Sequence, residues 1–300
     1  MASLQAHIAV WVLKLKFKPA LARAEGNAAR VRKLMTPAPY RIPQGVTIAP
    51  AQVGGVLGEW VESSLSSGVT MLYLHGGGYV ACSAETHRPI TVAFAQQGFR
   101  VFAPNYRLAP ENPFPAAVDD AVAVSSALRP AVIAGDSAGG GLALALLLAI
   151  RDRGGTLPAA AAVFSPWTDL AATGESIRRN DRRCAMFLGA NIALGARLYL
   201  GGADPRTPLA SPLYGDLAGL PPLLIHAGAD EVLVDDSTRL AERARTAGVT
   251  VDLKVWPVVP HCWQLILPTM PESRESMSEA TAFLMRHAKV AAPLPAGTRI

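Results

Sequence analysis

One stretch of the sequence decides the fold: Ala134-Gly135-Asp136-Ser137-Ala138-Gly139-Gly140-Gly141. It lies between a short β-like run, 131–134, and a strongly helical run. Gly-x-Ser-x-Gly between a strand and a helix predicts a nucleophile elbow, a tight turn that holds its serine at the apex. Gly135 and Gly139 have no Cβ to clash in such a turn, and we expect Ser137 to have unfavourable backbone angles. The helix after the turn would direct its free N–H groups toward the serine.

Two other interpretations of this glycine-rich turn are open. A phosphate-binding Walker loop needs Lys and then Ser or Thr after its last glycine, whereas Leu142 and Ala143 follow here. The turn can also carry an incidental serine. The rest of the chain favours the elbow, because strand-like and helix-like runs alternate from about residue 46 onward. Such alternation is typical of a mostly parallel sheet with helices on both faces.

The composition limits the class of protein. The chain has 300 residues, half of them hydrophobic, which suits one large α/β domain with a small appendage. The 28 Lys and Arg exceed the 23 Asp and Glu only slightly and show no stripe with interleaved aromatic residues, so we expect no nucleic-acid partner. The three cysteines form no CxxC pair, and no HExxH or similar spacing indicates a metal site.

The sequence shows no sign of a membrane-spanning or secreted protein. No stretch is apolar over the length of a membrane span, and the N-terminus lacks a cleavable signal pattern. We therefore expect a cytoplasmic protein without stable membrane insertion. Ile8, Trp11, Val12 and Leu15 have the spacing of an amphipathic helix and are flanked by lysines. A membrane-surface helix fits this pattern, but packing on the body of the protein is the favoured interpretation.

The chain divides into a body and two additions. Residues 46–174 and 203–290 contain the alternating runs and form the predicted catalytic domain. Residues 1–45 contain helical segments broken by prolines, and residues 175–202 form a helical insertion. An insertion at that point would lie above the carboxyl edge of the sheet, where open α/β folds bind ligands. We therefore expect the two additions to form a cap, and residues 291–300 to be a frayed tail.

His261 is the predicted base for the serine. A serine hydroxyl is a poor nucleophile until a base removes its proton. His261, one of six histidines, stands in the loop after the last predicted strand, 251–256. That loop lies at the carboxyl edge of the sheet, where Ser137 also lies, so the imidazole can reach the elbow.

Asp230 is the predicted partner of that base. A third group has to hold the tautomer of the histidine and stabilise the imidazolium. Asp230 lies just past the strand 222–227, again at the carboxyl edge. Asp235 and Asp236 come later and can instead cap the next helix. The order Ser, Asp, His along the chain also fits one known arrangement of such triads.

A glycine run supplies the predicted donors for an oxyanion. His75-Gly76-Gly77-Gly78 follows a continuous apolar strand, 69–74. Glycines at this point allow backbone N–H groups to turn toward a substrate carbonyl and to approach it closely. Ala138, directly after the serine, adds another N–H. A triple glycine is weak evidence alone, but it is strong in front of an elbow.

Three motifs occur jointly in this chain. They are His75-Gly76-Gly77-Gly78, Tyr106-Arg107-Leu108-Ala109-Pro110-Glu111 followed by Pro113-Phe114-Pro115-Ala116-Ala117, and Gly135-Asp136-Ser137-Ala138-Gly139-Gly140. Together they resemble the hormone-sensitive-lipase family of esterases, which has the α/β-hydrolase fold. The resemblance runs from about residue 71 to residue 263 and is specific because the motifs occur jointly.

This resemblance implies a mostly parallel eight-stranded sheet with helices on both faces and a small helical cap. It implies that Ser137 is the nucleophile and His261 the base, and it prefers Asp230 over its neighbours because the surrounding segment is similar. It implies a serine carboxylesterase that needs no cofactor. The oxyanion donors that it implies are Gly77, Gly78 and Ala138.

The implied substrates are small-molecule esters with short to medium acyl chains. Lactones and aryl esters are alternatives on the same triad, and the resemblance also allows a homodimer. A catalytically idle small-molecule receptor on the same fold is the alternative from another class. All three triad positions are filled, which disfavours the receptor.

The chain departs from the family next to its histidine. Cys262 and Trp263 stand where many members have Gly and Phe, so we expect these two residues to change the acyl pocket. Oxidation of Cys262 is a candidate way to disturb the site. His75 is interpreted as part of the oxyanion loop and not as a second base, and Glu111 as a residue that supports this loop.

Overall fold

A computed structural model describes residues 2–24, 26–36, 40–266 and 268–290 of the chain. The predicted frayed tail, 291–300, lies outside the described residues. The predicted eight-stranded, mostly parallel sheet is confirmed, with the strand order β1-β2-β4-β3-β5-β6-β7-β8. The strands are β1 (Val46–Val53), β2 (Val56–Ser63), β3 (Val69–Leu74), β4 (Phe99–Pro104), β5 (Val132–Asp136), β6 (Ala160–Phe164), β7 (Leu223–Gly228) and β8 (Val251–Trp256).

The first two strands form an antiparallel hairpin at one edge, and the other six run parallel. Strands β3, β5, β6 and β7 lie in the middle of the sheet. Their carboxyl ends therefore meet at one edge, and the loops that follow them are brought together. This edge carries the elbow, the glycine run and the two loops in which a base and its partner were predicted.

In the described part of the chain, ten α-helices surround the sheet or lie above its carboxyl edge. Helices α5, α6 and α9 pack on one face, and α4 and α10 pack on the other. The helices are α1 (Leu4–Val12), α2 (Lys18–Arg23), α3 (Ala28–Leu34), α4 (Arg88–Gln96), α5 (Ala116–Leu128), α6 (Ser137–Asp152), α7 (Ser176–Arg179), α8 (Gly189–Leu200), α9 (Val234–Thr246) and α10 (Pro271–Val290). None of the described helices combines the length and the apolar composition that crossing a lipid bilayer requires.

Alternate side chains of a central strand face opposite helical layers. Leu72 and Leu74 of β3 pack in the core beneath α5, α6 and α9. Met71 and Tyr73 pack in the core on the other face. Because both faces are covered, the strand is apolar without interruption, as its sequence predicts.

The N-terminal helices pack against the insertion. The Lys18 ammonium, at the start of α2, donates hydrogen bonds to the carbonyl oxygens of Asp181 (2.5 Å) and Cys184 (2.9 Å). A Cβ added at Gly26, between α2 and α3, would lie 3.3 Å from the Leu194 side chain of α8. These contacts support the predicted cap. Its exact bounds, 1–45 and 175–202, stay a prediction.

The insertion is not helical throughout. It contains two helices, α7 and α8, separated by irregular backbone. Helix α7 ends where the Asn180 side chain turns away to donate to the carbonyl oxygens of Ala229 (3.0 Å) and Glu231 (2.9 Å). Helix α8 begins where the N–H of Gly189 donates to the Asp181 carboxylate at 2.6 Å.

Helix α1 contacts the body, but not through the stripe that its sequence suggested. The buried residue of α1 is Ala6, which packs in a small cluster with Trp256, Val259 and Trp263. The predicted apolar stripe is exposed instead: it consists of Ile8, Trp11, Val12 and Leu15. The helix prediction is confirmed, and the prediction that this stripe packs on the body is wrong.

Candidate active site

The elbow has the strained geometry that its sequence predicts. Ser137 directly follows β5, begins α6 and has φ of +51°. A Cβ added at Gly135 would lie 2.5 Å from the carbonyl oxygen of Gly139, and one added at Gly139 would lie 2.1 Å from that of Leu74. No side chain fits at either position, so both glycines are required for the turn. The strain at Ser137 is held by a helix that is buried over its first three turns.

His261 is positioned by Glu231, not by the predicted Asp230. The Nδ1 atom of His261 lies 2.6 Å from Glu231 Oε2, and both side chains are buried. Asp230 instead pairs with Arg183 of the insertion at 2.9 Å, and 32% of its side chain is exposed. The prediction of Asp230 is therefore wrong by one residue.

The turn after β7 explains why Glu231, and not Asp230, faces His261. The N–H of Glu231 donates to the carbonyl oxygen of Gly228, which closes a tight turn directly after the strand. This turn directs residue 231 inward and residue 230 toward the cap. The sequence offers two adjacent carboxylates in a loop, and only the turn decides which one faces the histidine.

Glu231 is held by further donors. Its Oε1 atom accepts hydrogen bonds from the Ser165 hydroxyl (2.7 Å) and from the N–H of Gly228 (2.5 Å). Ser165 follows β6 and has φ of +46°, and sequence reasoning missed its role. With Oε1 occupied by these donors, Oε2 faces the imidazole, and the carboxylate cannot rotate without losing hydrogen bonds.

This contact determines the tautomer of His261. A carboxylate oxygen accepts hydrogen bonds, so Nδ1 carries the proton and donates it toward Glu231. The Nε2 atom then has a free lone pair. It is buried and has no hydrogen-bond partner among the described residues. His261 and Ser137 line the same cavity, so this lone pair is available on the side of the serine.

The glycine run forms a loop with free N–H groups beside the elbow. Gly77 has φ of +116° and Gly78 has φ of +63°, which only glycine adopts readily. A Cβ at Gly77 would lie 2.2 Å from the carbonyl oxygen of Ala81. Within the described parts of the chain, the N–H groups of Gly77, Gly78 and Ala138 donate to no other residue. They are available for a ligand oxygen.

His75 supports this loop as a neutral imidazole. Its Nδ1 atom donates to the carbonyl oxygen of Gly76 at 2.7 Å, and its ring stacks on Tyr106 with centroids 4.2 Å apart. The Tyr106 hydroxyl donates to the carbonyl oxygen of His75 at 2.6 Å. Burial, together with the nearby His87, lowers the pKa of His75 to about 3. A ring that is neutral and already hydrogen-bonded fits a supporting role.

Asp136 ties the loop to the elbow. Its Oδ1 atom accepts hydrogen bonds from the Tyr73 hydroxyl (2.7 Å) and from the N–H of Gly76 (3.0 Å), and its Oδ2 atom lies 3.2 Å from His87 Nε2. Burial alone would raise the pKa of this carboxyl, but His87 and the Tyr73 hydroxyl together lower it to about 2. Asp136 is part of the motif around Ser137, but the motif does not indicate its partners Tyr73, Gly76 and His87.

Glu111 acts on the cap and not directly on the oxyanion loop. Its exposed carboxylate accepts two hydrogen bonds from Arg32 of α3, at 2.9 and 2.6 Å. The same guanidinium donates to the carbonyl oxygens of Val80 (2.8 Å) and Ala109 (2.9 Å). Glu111 therefore helps to attach α3 to the segment that follows the glycine run.

A cavity of about 290 Å³ lies above the elbow. Ser137 and His261 form part of its wall, and Phe187 of the insertion packs edge-on against the His261 ring with centroids 5.0 Å apart. Many of the other lining side chains are apolar, and most of these apolar side chains come from the N-terminal helices and from the insertion. Examples are Phe17, Leu21, Met35, Ile192, Leu194 and Leu198.

Cys262 and Trp263, the two residues after His261, have different environments. Cys262 lines the cavity, whereas Trp263 is fully buried elsewhere and donates from its indole nitrogen to the carbonyl oxygen of Glu272 at 3.2 Å. Cys262 therefore borders the ligand space, and the expectation that Trp263 shapes it is wrong. Burial raises the pKa of the Cys262 thiol well above its usual range, which argues against a reactive thiolate.

The described residues contain no group of three or more His, Cys, Asp or Glu side chains placed to hold a metal ion. The site brings together a serine, an oriented imidazole and free backbone N–H groups. This arrangement can generate a nucleophile and stabilise an oxyanion.

Comparisons with known proteins agree with this arrangement. A sequence profile of the α/β hydrolase fold matches residues 71–265. An acetyl-hydrolase of Streptomyces hygroscopicus is 45% identical over 251 residues, which are 81% of this chain and 83% of that protein. An esterase of Acinetobacter venetianus is 34% identical over 247 residues, which are 79% of this chain and 82% of that protein.

Solved structures extend the likeness to almost the whole chain. The crystal structure of an esterase from the bacterial hormone-sensitive lipase family has 38% sequence identity and a TM-score of 0.88. The match covers 96% of this chain and 99% of that one. A hormone-sensitive lipase from a metagenome library has 37% identity, a TM-score of 0.87 and coverage of 94% and 98%. The chain therefore belongs to the α/β hydrolases, and within them to the bacterial hormone-sensitive lipase family.

Proposed function

We propose that this protein is a carboxylesterase in which Ser137 is the nucleophile, His261 the general base and Glu231 the residue that orients the base. One observation carries the proposal. The contact between Glu231 and His261 Nδ1 leaves the Nε2 lone pair free in the cavity that Ser137 lines. The relatives named as esterases and as an acetyl-hydrolase support ester hydrolysis as the reaction.

The first half of the reaction forms an acyl-enzyme. His261 Nε2 takes the proton from Ser137 Oγ while Oγ forms a bond to the ester carbonyl carbon. The carbonyl electrons move to oxygen and give a tetrahedral oxyanion. The oxyanion collapses, the bond to the alcohol oxygen breaks, and His261 donates its proton to the leaving alcohol.

The second half releases the acid. His261 removes a proton from water, and the water oxygen attacks the acyl carbon. The new oxyanion collapses, the bond to Ser137 Oγ breaks, and Oγ regains its proton from His261. Glu231 stays a carboxylate throughout and stabilises the imidazolium that forms twice.

The oxyanion has three candidate donors. The N–H groups of Gly77 and Gly78 belong to the loop after β3, and the N–H of Ala138 belongs to the first turn of α6. None of them is used by another described residue. Each such donor contributes about 3–4 kcal/mol to transition-state stabilisation in comparable hydrolases. The N-terminal end of α6 adds a favourable dipole at the same place.

The cavity favours small, uncharged esters. Its volume of about 290 Å³ is at the lower end of ligand pockets. Apart from the catalytic region, its lining is dominated by Leu, Ile, Phe and Met side chains. These features support short- to medium-chain acyl groups over long ones. Lactones and aryl esters of similar size would meet the same walls.

An acyl-chain series tests the proposal. The wild type should hydrolyse p-nitrophenyl acetate, butyrate and octanoate, whereas Ser137→Ala should lose about 10⁴–10⁶ in kcat. The Ser137→Ala protein should keep the wild-type circular dichroism spectrum, because the substitution removes one oxygen. An inactive wild type would exclude the esterase and favour a catalytically idle receptor. Full activity in Ser137→Ala would exclude this nucleophile.

A further inference from the structure

Helix α1 and the turn after it carry an apolar face that nothing in the described chain covers. Leu4, Ile8, Trp11 and Leu15 occur at i, i+4, i+7 and i+11, so they share one side of the helix. Their exposed fractions are 71%, 50%, 63% and 57%. The opposite side is already used, because Ala6 packs against the body. A helix that is apolar on both sides is unusual at a water-exposed surface.

Positive charge borders this face. Lys14 and Lys16 lie on the same helical run, and neither forms an ion pair with a described residue. The stretch 2–24 contains no Asp or Glu at all. An apolar side with Trp and Leu next to lysines is typical of helices that lie in a membrane interface with anionic lipid.

Charge is also distributed unevenly over the whole chain, and the positive excess lies in the part that contains α1. Residues 1–45 and 175–202, the predicted cap, contain thirteen Lys and Arg and three Asp and Glu. The rest of the chain contains fifteen Lys and Arg and twenty Asp and Glu. The net positive charge is therefore concentrated in the predicted cap. Close to an anionic surface, this asymmetry would turn the cap toward the lipid.

We propose that the outer face of α1 and of the π-helical turn after it, Leu13–Phe17, is a peripheral docking site for anionic phospholipid surfaces. This face is formed by Leu4, Ile8, Trp11 and Leu15. The apolar side chains would enter the headgroup region, and Lys14 and Lys16 would contact lipid phosphates. The same helical run contributes Phe17 to the cavity lining, so docking holds the cap and the cavity next to the lipid. The binding itself does not depend on the proposed esterase function.

Vesicle sedimentation tests the site. We expect the wild type to pellet with vesicles of equimolar phosphatidylcholine and phosphatidylglycerol, and the Trp fluorescence to shift to the blue. Binding to phosphatidylcholine alone should be weaker by about tenfold or more, and high salt should reduce binding to the anionic vesicles. Ser137→Ala should bind as the wild type does, which separates lipid binding from esterase activity.

Matched variants locate the binding face. Ile8→Ser with Trp11→Ser should lower the partition coefficient by about tenfold or more, because two exposed apolar side chains are lost. Leu57→Ser with Leu65→Ser removes two similarly exposed leucines on and after the edge hairpin, and should leave binding unchanged. Circular dichroism checks that both double variants fold.

A second pair of variants tests the charge. Lys14→Gln with Lys16→Gln should weaken binding to anionic vesicles about tenfold and leave the low binding to neutral vesicles unchanged. Arg129→Gln with Arg153→Gln, two exposed positions at the opposite edge of the sheet, should have little effect.

Several outcomes would overturn the proposal. They are equal binding to neutral and anionic vesicles, no binding to either, and unchanged binding of the Ile8→Ser, Trp11→Ser variant. A wild-type dimer that this variant converts to a monomer, without lipid binding, would assign the face to a second copy of the chain instead.

Discussion

At the scale of single residues, the contact between Glu231 and His261 decides which imidazole nitrogen can accept a proton. The carboxylate holds the proton on Nδ1 and leaves Nε2 toward the cavity. Ser165 and Gly228 hold the carboxylate in turn. Three loops at one sheet edge thus converge on a single tautomer, which is what general-base catalysis by histidine requires.

The substitution Glu231→Gln tests this role. A glutamine has nearly the same shape, but its amide no longer favours the Nδ1 proton or stabilises an imidazolium. We expect kcat to fall by about 10²–10⁴-fold while KM changes little, because the tautomer is needed for chemistry and not for binding. The measurement is steady-state hydrolysis of p-nitrophenyl butyrate.

Asp230→Asn is the matched control for this substitution. Asp230 is adjacent to Glu231 and partly exposed, and among the described residues its one ion pair is with Arg183, so its loss should change kcat by no more than about twofold. If Asp230→Asn abolished activity and Glu231→Gln did not, the sequence-based choice of Asp230 would be restored and the structural assignment rejected.

The sequence is most informative about single residues where local chemistry leaves one option. Ser137 follows from its flanking glycines, whose missing Cβ atoms the turn demands, and His261 from its place after the last strand. Their catalytic roles stay predictions. The choice between Asp230 and Glu231 depends on how one turn directs two neighbouring carboxylates. Sequence patterns place the end of a strand only to within a few residues. Asp230 and Glu231 are neighbours in the chain, so such a pattern cannot choose between them.

At the scale of elements, a buried network joins β3, β5 and the glycine run. Asp136 ends β5, Tyr73 lies in β3, and the N–H of Gly76 belongs to the loop between β3 and α4. Burial and the nearby Asp136 raise the pKa of Tyr73 well above its usual range, so its hydroxyl keeps its proton and donates. The network fixes the oxyanion loop relative to the elbow.

Tyr73→Phe should destabilise the protein in a pH-dependent manner. The pKa of Asp136 is about 2 in the folded protein and 3.8 ordinarily, so its stabilising effect is present above the ordinary pKa and is lost as the pH falls through the folded one. Removing the Tyr73 hydroxyl should cost about 1–2 kcal/mol of unfolding free energy at neutral pH. The difference from wild type should shrink below about pH 3, because the carboxyl is then increasingly protonated.

The measurement is urea-induced unfolding at several pH values, with Tyr199→Phe as the control. The Tyr199 hydroxyl is also buried but has no hydrogen-bond partner among the described residues. Its removal should therefore cost little at any pH. A constant difference between Tyr73→Phe and wild type from neutral to acidic pH would contradict the role of the Asp136 carboxylate.

The elements themselves were largely predictable, and the exceptions have physical causes. Continuous apolar runs marked the buried strands, and β3 and β8 have the predicted bounds. The break between α7 and α8 was not predictable, because it depends on Asn180 reaching carbonyl oxygens about fifty residues away in sequence. The apolar residues of the exposed stripe on α1 are spaced as in a helix that packs against another surface. This spacing does not show which surface covers the stripe.

At the scale of the whole molecule, the proposed catalytic groups and the apolar cavity walls belong to different parts. Ser137 begins the helix after β5, and Glu231 and His261 lie in loops at the carboxyl edge of the sheet. Most of the apolar cavity lining comes from the N-terminal helices and the insertion. Under the proposed function, the body would carry out the reaction and the predicted cap would provide much of the contact with substrate. Changes in how the cap is attached should alter substrate selection before they alter chemistry.

Lys18→Met tests this division of labour. The substitution keeps the apolar stem of the side chain but removes the two hydrogen bonds that join α2 to the insertion. We expect KM for p-nitrophenyl octanoate to rise by about tenfold, since these charge-assisted bonds contribute about 1.5–3 kcal/mol each in protected settings and less where partly exposed. The kcat should change by less than about threefold, because no catalytic group moves. The acetate ester, with little chain to contact the cap, should be affected much less.

Lys16→Met provides the control for that experiment. It lies two residues away and is exposed, and its ammonium forms no hydrogen bond with the described residues, so a soluble ester should be hydrolysed as by the wild type. An equal loss for acetate and octanoate in Lys18→Met would show that the attachment of the cap also positions the catalytic groups. That result would contradict a cap that selects substrate by its acyl chain while the body carries out the reaction. An unchanged KM for octanoate would contradict the role of the two Lys18 hydrogen bonds in positioning the cap walls that contact the acyl chain.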